Sequence, residues 1–214
     1  MSLIVNEIFR SIQGESTYAG LPFIFVRLTG CNMRCAYCDT VYAYDQGHPL
    51  SISKILDTLA TFHCSMVEIT GGEPLLQAET PDLIAGQLRK KYRVLMETNG
   101  SFDIRMADSR CVRIMDVKCP GSGEHEKCDF RNFEHLNKKD QVKFVIGDRQ
   151  DYEYARNMLN RIPSCIPSEN RLFSPIRETL APAKLAGWIL EDHLETRLHL
   201  QLHRILWPDV DRGV

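Results

Sequence analysis

Cys31, Cys35 and Cys38 fall within eight positions in "GCNMRCAYCDT" (30–40). Thiols this close suit metal binding or catalysis in a reducing compartment. A structural zinc site takes four ligands, commonly in two pairs, and an iron–sulfur cluster also usually takes four cysteines. Here there is one triplet and no second pair, and neither His48 nor Cys64 stands at zinc-ribbon spacing. Three thiolates on a cubane leave one iron free for a substrate or cofactor. A zinc knuckle, or three cysteines that merely pack, is the alternative.

Other polar residues stand where apolar runs end. "TGGEP" (70–74) follows "MVEIT"; two glycines allow close backbone approach to a ligand, and Glu73 offers an acceptor for a cation. The plain alternative is a Gly–Gly turn. "ETNG" (97–100), "DVKCPGSG" (116–123) and "FSPI" (173–176) close further runs. Arg27 is the only charge in "FIFVRL" (23–28), and a buried arginine without a partner is costly; otherwise it covers a sheet edge. In "RLHLQLH" (197–203), read as an alternating strand, His199, Gln201 and His203 share one face.

The elements that must position these residues alternate. Strands are predicted at 23–28, 66–70, 93–97, 112–117, 141–146, 171–173 and 197–203. A helix is predicted over 51–62, with Ser51 as N-cap and Ile52, Ile55, Leu56 and Leu59 on one face. Others follow at 80–91, with Thr80 as cap and Pro81 and Asp82 in the first turn, at 151–162 and at 181–192. Strand–helix alternation implies parallel strands joined by right-handed crossovers. Six or seven strands are too few for an eightfold barrel, so an α/β fold of the partial, open βα-barrel type is expected, with a doubly wound sheet as competitor. In both, active residues sit at the C-terminal strand ends, and Cys31 comes three residues after Leu28.

The CxxxCxxC pattern with Tyr37 before the third cysteine, followed by TGGEP, resembles the signature of radical S-adenosylmethionine (SAM) enzymes. With "NEIFRSIQGESTYAGLPFIFVRLTGCNMRCAYCDT" (6–40), "DVKCPGSG" and "RLHLQLHRILWPDVDRGV" (197–214), nearly the whole chain resembles 7-carboxy-7-deazaguanine synthase, a lyase family that makes the deazapurine precursor of queuosine. The resemblance implies a 4Fe–4S cluster on Cys31, Cys35 and Cys38, with SAM chelating the fourth iron. It implies a deoxyadenosyl radical that takes hydrogen from 6-carboxy-5,6,7,8-tetrahydropterin, followed by ring contraction, loss of ammonia and regeneration of SAM. Carried over by position, Ile12, Gln13, Gly14 and Glu15 frame the pterin, Arg27 pairs with its carboxylate, and Thr70 and His203 touch it; Arg27, Glu15 and His203 are the catalytic set. Tyr37, Cys38, Asp39, Gly72, Glu73, Asp116, Val117, Lys118, Ser174, Pro175 and Ile176 line the SAM site, and Thr40 supplies oxygen to Mg²⁺. Asp116–Val117 replace the Ser-Pro pair of some family members. The resemblance also implies a homodimer and a flavodoxin- or ferredoxin-type electron donor.

Composition agrees with such a protein. At 214 residues, 43% hydrophobic and 25% charged, the chain suits a single globular domain over 1–214. A formal charge of −2 gives no general drive towards nucleic acid or anionic membrane. "MSLIVNEIFRS" lacks the basic-then-apolar layout of a signal peptide and no run is long enough to span a bilayer, so a cytoplasmic location is expected. Cys64, Cys111, Cys119, Cys128 and Cys165 are expected to be buried small side chains. Two rivals remain: an activase of a glycyl-radical enzyme, which needs a peptide substrate, and a non-catalytic metal module, which leaves the TGGEP loop without a task.

Overall fold

A computed structural model describes all residues, 1–214. One sheet of nine strands runs through it, in the order β3-β1-β2-β4-β5-β6-β7-β8-β9. The strands are β1 (Ser2–Ile12), β2 (Pro22–Leu28), β3 (His48–Ser51), β4 (Met66–Gly71), β5 (Arg93–Thr98), β6 (Val112–Asp116), β7 (Gln141–Ile146), β8 (Arg171–Pro175) and β9 (Arg197–Leu198). From β2 through β9 every neighbouring pair is parallel. The sheet does not close, as expected of an open barrel. At its other edge β1 pairs antiparallel with β2 and β3 with β1; both are additions to the predicted strands. Their apolar pattern is broken, because in β1 only Leu3 and Val5 are buried.

Helices α1 (Ile52–Ala60), α2 (Thr80–Arg89), α3 (Arg149–Met158) and α4 (Pro182–Glu191) match the predicted ones. Ser51 caps α1, accepting from the Lys54 amide at 3.2 Å. Thr80 does not cap α2. It is the first helical residue, and its buried hydroxyl donates to the Pro74 carbonyl at 2.6 Å, tying the helix to the TGGEP loop.

The predicted strand 197–203 is mostly something else: β9 stops at Leu198, and Leu202–Leu206 is a short helix, α5. His199 still donates its amide to Phe173, but further on β8 reaches Pro175, which has no N–H to continue a ladder. His199, Gln201 and His203 therefore do not share one strand face.

Side-chain alternation sorts the sheet into two faces. Ile24, Val26, Val67, Ile69, Met96, Met115, Val142 and Phe144 join the large core under the helices. On the inner face Phe23, Phe25, Leu95, Val112 and Ile114 form a smaller apolar plug. One layer further towards the C-terminal strand ends, the same face turns polar, with Arg27 opposite Thr70 and Asp116 opposite Lys143. The plug closes the bottom of the half-barrel; the polar layer is the floor of its mouth.

Candidate active site

A cavity of about 240 Å³ opens at that mouth. Cys31, Cys35 and Cys38, all free thiols and none fully buried, line one wall. Their loop is pinned on two sides. The Ala36 amide donates to the Ser122 carbonyl and the Arg34 amide to Glu124 Oε1 at 2.7 Å, both in the loop after β6. The Glu73 amide donates to the Gly30 carbonyl at 2.8 Å. The Met33 amide points at Cys31 Sγ at 3.4 Å, a donor suited to a thiolate. No three Cys, His, Asp or Glu side chains converge on a single-ion site, and thiolates that each hold a different corner of a cluster need not do so. Burial raises the Cys31 and Cys35 thiols, so a bound metal would have to drive off their protons. The donor set fits a cluster with one corner left for another ligand. His48 and Cys64 do not line the cavity.

The glycines after β4 are required where they stand. Gly71 has φ +147°, and a Cβ there would meet the Leu28 carbonyl oxygen at 2.2 Å; at Gly72 it would meet that of Gly30 at 2.1 Å. This lets the TGGEP loop lie against the cysteine loop. Glu73, expected to face a cation in the cavity, instead turns away from it and is fully buried. Its Oε1 accepts from the Leu75 amide at 3.0 Å and the Thr98 hydroxyl at 2.9 Å, and Oε2 from the Asn99 amide at 2.7 Å. Burial pushes its acid up to about 7 despite those donors. Glu73 thus ties the loops after β4 and β5 together. Val117 is a second correction: its side chain belongs to the core under the helices, leaving only backbone near the site.

The other expected cofactor residues, Tyr37, Asp39, Gly72, Asp116, Lys118 and Ser174–Ile176, line the cavity. Lys118 Nζ bonds Asp116 Oδ2 at 2.8 Å. Two buried oxygens there have no protein partner, Tyr37 Oη and Asp116 Oδ1, and a polar nucleoside and amino-acid ligand such as SAM would answer such groups. Thr40 lines the same wall, its hydroxyl 3.8 Å from Cys38 Sγ.

The segment after β1 lines the cavity as well. Glu15 Oε2 pairs with Lys143 Nζ at 2.7 Å, and its Oε1 accepts from Gln201 Nε2 at 2.8 Å. Burial would raise the Glu15 acid, but the Lys143 ammonium overrides it and holds the acid well below the usual carboxylate range. Lys143 also binds Glu97 and stands 3.6 Å from Asp116; these three carboxylates outweigh burial and keep the lysine charged. Arg27 Nε donates to Glu7 Oε1 at 2.8 Å, while its terminal nitrogens make no protein hydrogen bond in a side chain that lines the cavity. His203, from α5, packs so closely on Gly14 that a Cβ there would fall 1.9 Å from its Nδ1. Burial lowers its pKa, favouring the neutral ring.

Comparison with known proteins decides which family builds such a site. Residues 25–115 match the radical SAM superfamily. A 7-carboxy-7-deazaguanine synthase of Koribacter versatilis is 41% identical, over 98% of this chain and 99% of the relative. Another, of Chlorobaculum tepidum, is 39% identical over 99% and 97%. The chain belongs to the 7-carboxy-7-deazaguanine synthase family. The crystal structure of QueE from Escherichia coli has the same fold, with a TM-score of 0.79 over 95% of each chain at 22% identity. Membership brings the 4Fe–4S cluster and SAM that radical SAM chemistry requires, and no helix of the chain is long and apolar enough to cross a membrane.

Sequence reasoning overlooked Glu68 and Lys143, and gave no individual role to Glu97 of "ETNG" or to Gln201; all four line the cavity of this synthase-family site. Glu68 in "MVEIT" and Lys143 in "QVKFVI" are lone charges in apolar strands, the same signal that singled out Arg27. Of the five remaining cysteines, Cys111, Cys119 and Cys128 are buried as expected; Cys64 is half-buried and Cys165 is exposed.

Proposed function

We propose that this chain converts 6-carboxy-5,6,7,8-tetrahydropterin to 7-carboxy-7-deazaguanine with loss of ammonia, as a single radical SAM domain over residues 1–214. The observation that carries this reading is the meeting, around one cavity, of the cysteine loop with the Gln13–Gly14–Glu15 segment and the unspent end of Arg27. When bound, the cluster and SAM supply a 5′-deoxyadenosyl radical for hydrogen abstraction.

This chain's residues do the rest. Arg27 offers two nitrogens in a fixed fork to the substrate carboxylate, a geometry lysine cannot match. Ile12, Gln13, Gly14 and Thr70 frame the heterocycle. Glu15, held ionised by Lys143, is an acceptor for its N–H groups, and the neutral ring of His203 can take a proton from the ring-contracted intermediate and hand it to the departing amine, which leaves as ammonia. Tyr37, Cys38, Asp39, Gly72, Asp116, Lys118, Ser174, Pro175 and Ile176 surround SAM. Thr40 contributes a hydroxyl to Mg²⁺, an ion that prefers oxygen donors and keeps waters when protein ligands are few. A flavodoxin- or ferredoxin-type protein supplies the electron, the enzyme works as a homodimer in the cytoplasm, and neither nucleic acid nor membrane is a partner.

An activase reading needs a peptide to enter; a small cavity with a charged floor favours a small anionic heterocycle. The test is anaerobic reconstitution with iron and sulfide, then incubation with SAM, reductant and the carboxypterin. Carboxydeazaguanine should form without net consumption of SAM. Cluster-loaded protein that cleaves SAM yet leaves the carboxypterin unchanged would overturn the reading.

A further inference from the structure

The inner face of the sheet holds one carboxyl that the site's charge network leaves out. Glu15 and Glu97 share Lys143, and Asp116 pairs with Lys118. Glu68 lines the same cavity and forms no ion pair. It is 5% exposed and stands in register between Phe25 and Leu95 of the apolar plug. Its single protein hydrogen bond comes from Gln13 Nε2 to Oε2 at 2.6 Å; Oε1 has none. Gln13 is itself fixed from the other side, its Oε1 accepting from the Glu15 amide at 3.0 Å.

For stability alone a buried carboxyl here is a poor choice, since an apolar side chain of similar volume would avoid its desolvation, although it would leave the buried Gln13 amide without this partner. Among the floor's acids, only this one is spared a cation and left with an oxygen to spend. We propose that Glu68 is a substrate-recognition residue, its free carboxyl oxygen hydrogen-bonding the pyrimidinone edge of the bound heterocycle beside Gln13. The inference rests on the carboxypterin reading above.

The surroundings suit a neutral acid. Burial first, then the nearby Glu97 and Glu15 carboxylates, push Glu68 up to about 8, against the Gln13 amide and the Lys143 ammonium. A protonated carboxyl accepts from Gln13 through one oxygen and donates through the other. A pyrimidinone presents a carbonyl oxygen and ring nitrogens able to take that proton in a hydrogen bond. Glutamine has the same neutral donor–acceptor pair; leucine has the bulk and neither.

Three measurements on the cluster- and SAM-loaded enzyme test this: carboxypterin affinity, SAM affinity and melting temperature. Glu68→Leu should bind the pterin about tenfold more weakly, the usual worth of one neutral hydrogen bond, and keep its SAM affinity and a cooperative melting transition. Glu68→Gln should stay within about threefold of wild type for the pterin, as a conservative replacement of one hydrogen bond. Unchanged pterin affinity in Glu68→Leu would overturn the proposal, as would joint loss of pterin and SAM binding with a lower melting temperature, the mark of a structural role. Wild-type enzyme that does not bind the carboxypterin would instead remove the reading on which the proposal stands.

Discussion

At the scale of single residues, the two buried charges in otherwise apolar strands behave in opposite ways. Lys143 is surrounded by Glu15, Glu97 and Asp116 and stays charged; Glu68 has no counterion and holds its proton. The consequence for stability follows from linkage. Glu68 rises from its ordinary 4.5 to about 8 on folding, so the native state binds this proton more tightly than the unfolded chain. That contribution is fully present below pH 4.5 and is lost as pH rises through 8. Glu68→Gln should therefore gain on wild type as pH rises across this window, by at most a few kcal/mol. Urea denaturation of both proteins at several pH values measures it; a constant difference would show that Glu68 does not titrate there.

Thr40 and the cysteines give two further tests at this scale. If the Thr40 hydroxyl ligates Mg²⁺, Thr40→Val should lose the stimulation of turnover by Mg²⁺ and Thr40→Ser should keep it, with SAM cleavage in the absence of substrate surviving in both. Cys31→Ala, Cys35→Ala or Cys38→Ala should abolish SAM cleavage, whereas Cys165→Ala, exposed and remote from the cavity, should retain it. Retained cleavage in any of the first three would remove that cysteine from the ligand set.

At the scale of elements, the site depends on loops that grip one another at strand ends. One such grip is the pair of glycines after β4, lying against the Leu28 and Gly30 carbonyls. Gly72→Ala places a methyl 2.1 Å from backbone that cannot rotate away, so the cysteine and TGGEP loops must separate. Overpacking of this kind typically costs about 1–3 kcal/mol. SAM affinity should fall with stability, and calorimetry with SAM alone reads it; a variant with wild-type SAM affinity would mean that the loop can be rebuilt cheaply. Removing the α1 cap with Ser51→Ala should cost only about 1 kcal/mol and leave SAM binding alone.

At the scale of the molecule, the chain's two ends meet across the cavity. The segment after β1 is held from β7, by Lys143 on Glu15 and by Gln141 on Thr17. The C-terminal segment then docks on it, through the Leu202 amide on the Gly14 carbonyl, Gln201 on Glu15, and His203 against Gly14. Arg212 reaches a different segment, the turn after the cysteine loop, its guanidinium 4.0 Å from the Tyr42 ring centroid. A methyl on Gly14 would stand 3.0 Å from the His203 Cβ as well as striking its ring, so the imidazole must rotate and α5 must give by a few tenths of an ångström. Gly14→Ala should raise KM for the carboxypterin while SAM cleavage without substrate continues. Equal KM in variant and wild type would show that this docking does not shape the substrate half of the cavity.

Local signals were readable in the sequence because they depend on neighbours along the chain. Strand and helix periods, the Ser51 cap, the paired glycines after "MVEIT" and the cysteine triplet at a strand's end all have that character, and the motifs together indicated the family. What depends on the whole sheet was not readable. The ladder beyond Leu198 ended because its neighbouring strand had reached Pro175, a residue 23 positions earlier (198 − 175). Glu73 turned inward because three donors awaited it from loops after two different strands. Lone charges at Arg27, Glu68 and Lys143 marked strands whose inner face had work to do, but sequence could not say which would find a counterion. Parallel strands set side chains from distant segments beside one another, and the energy of a buried charge depends on those neighbours, so only the assembled sheet left Glu68 without a cation.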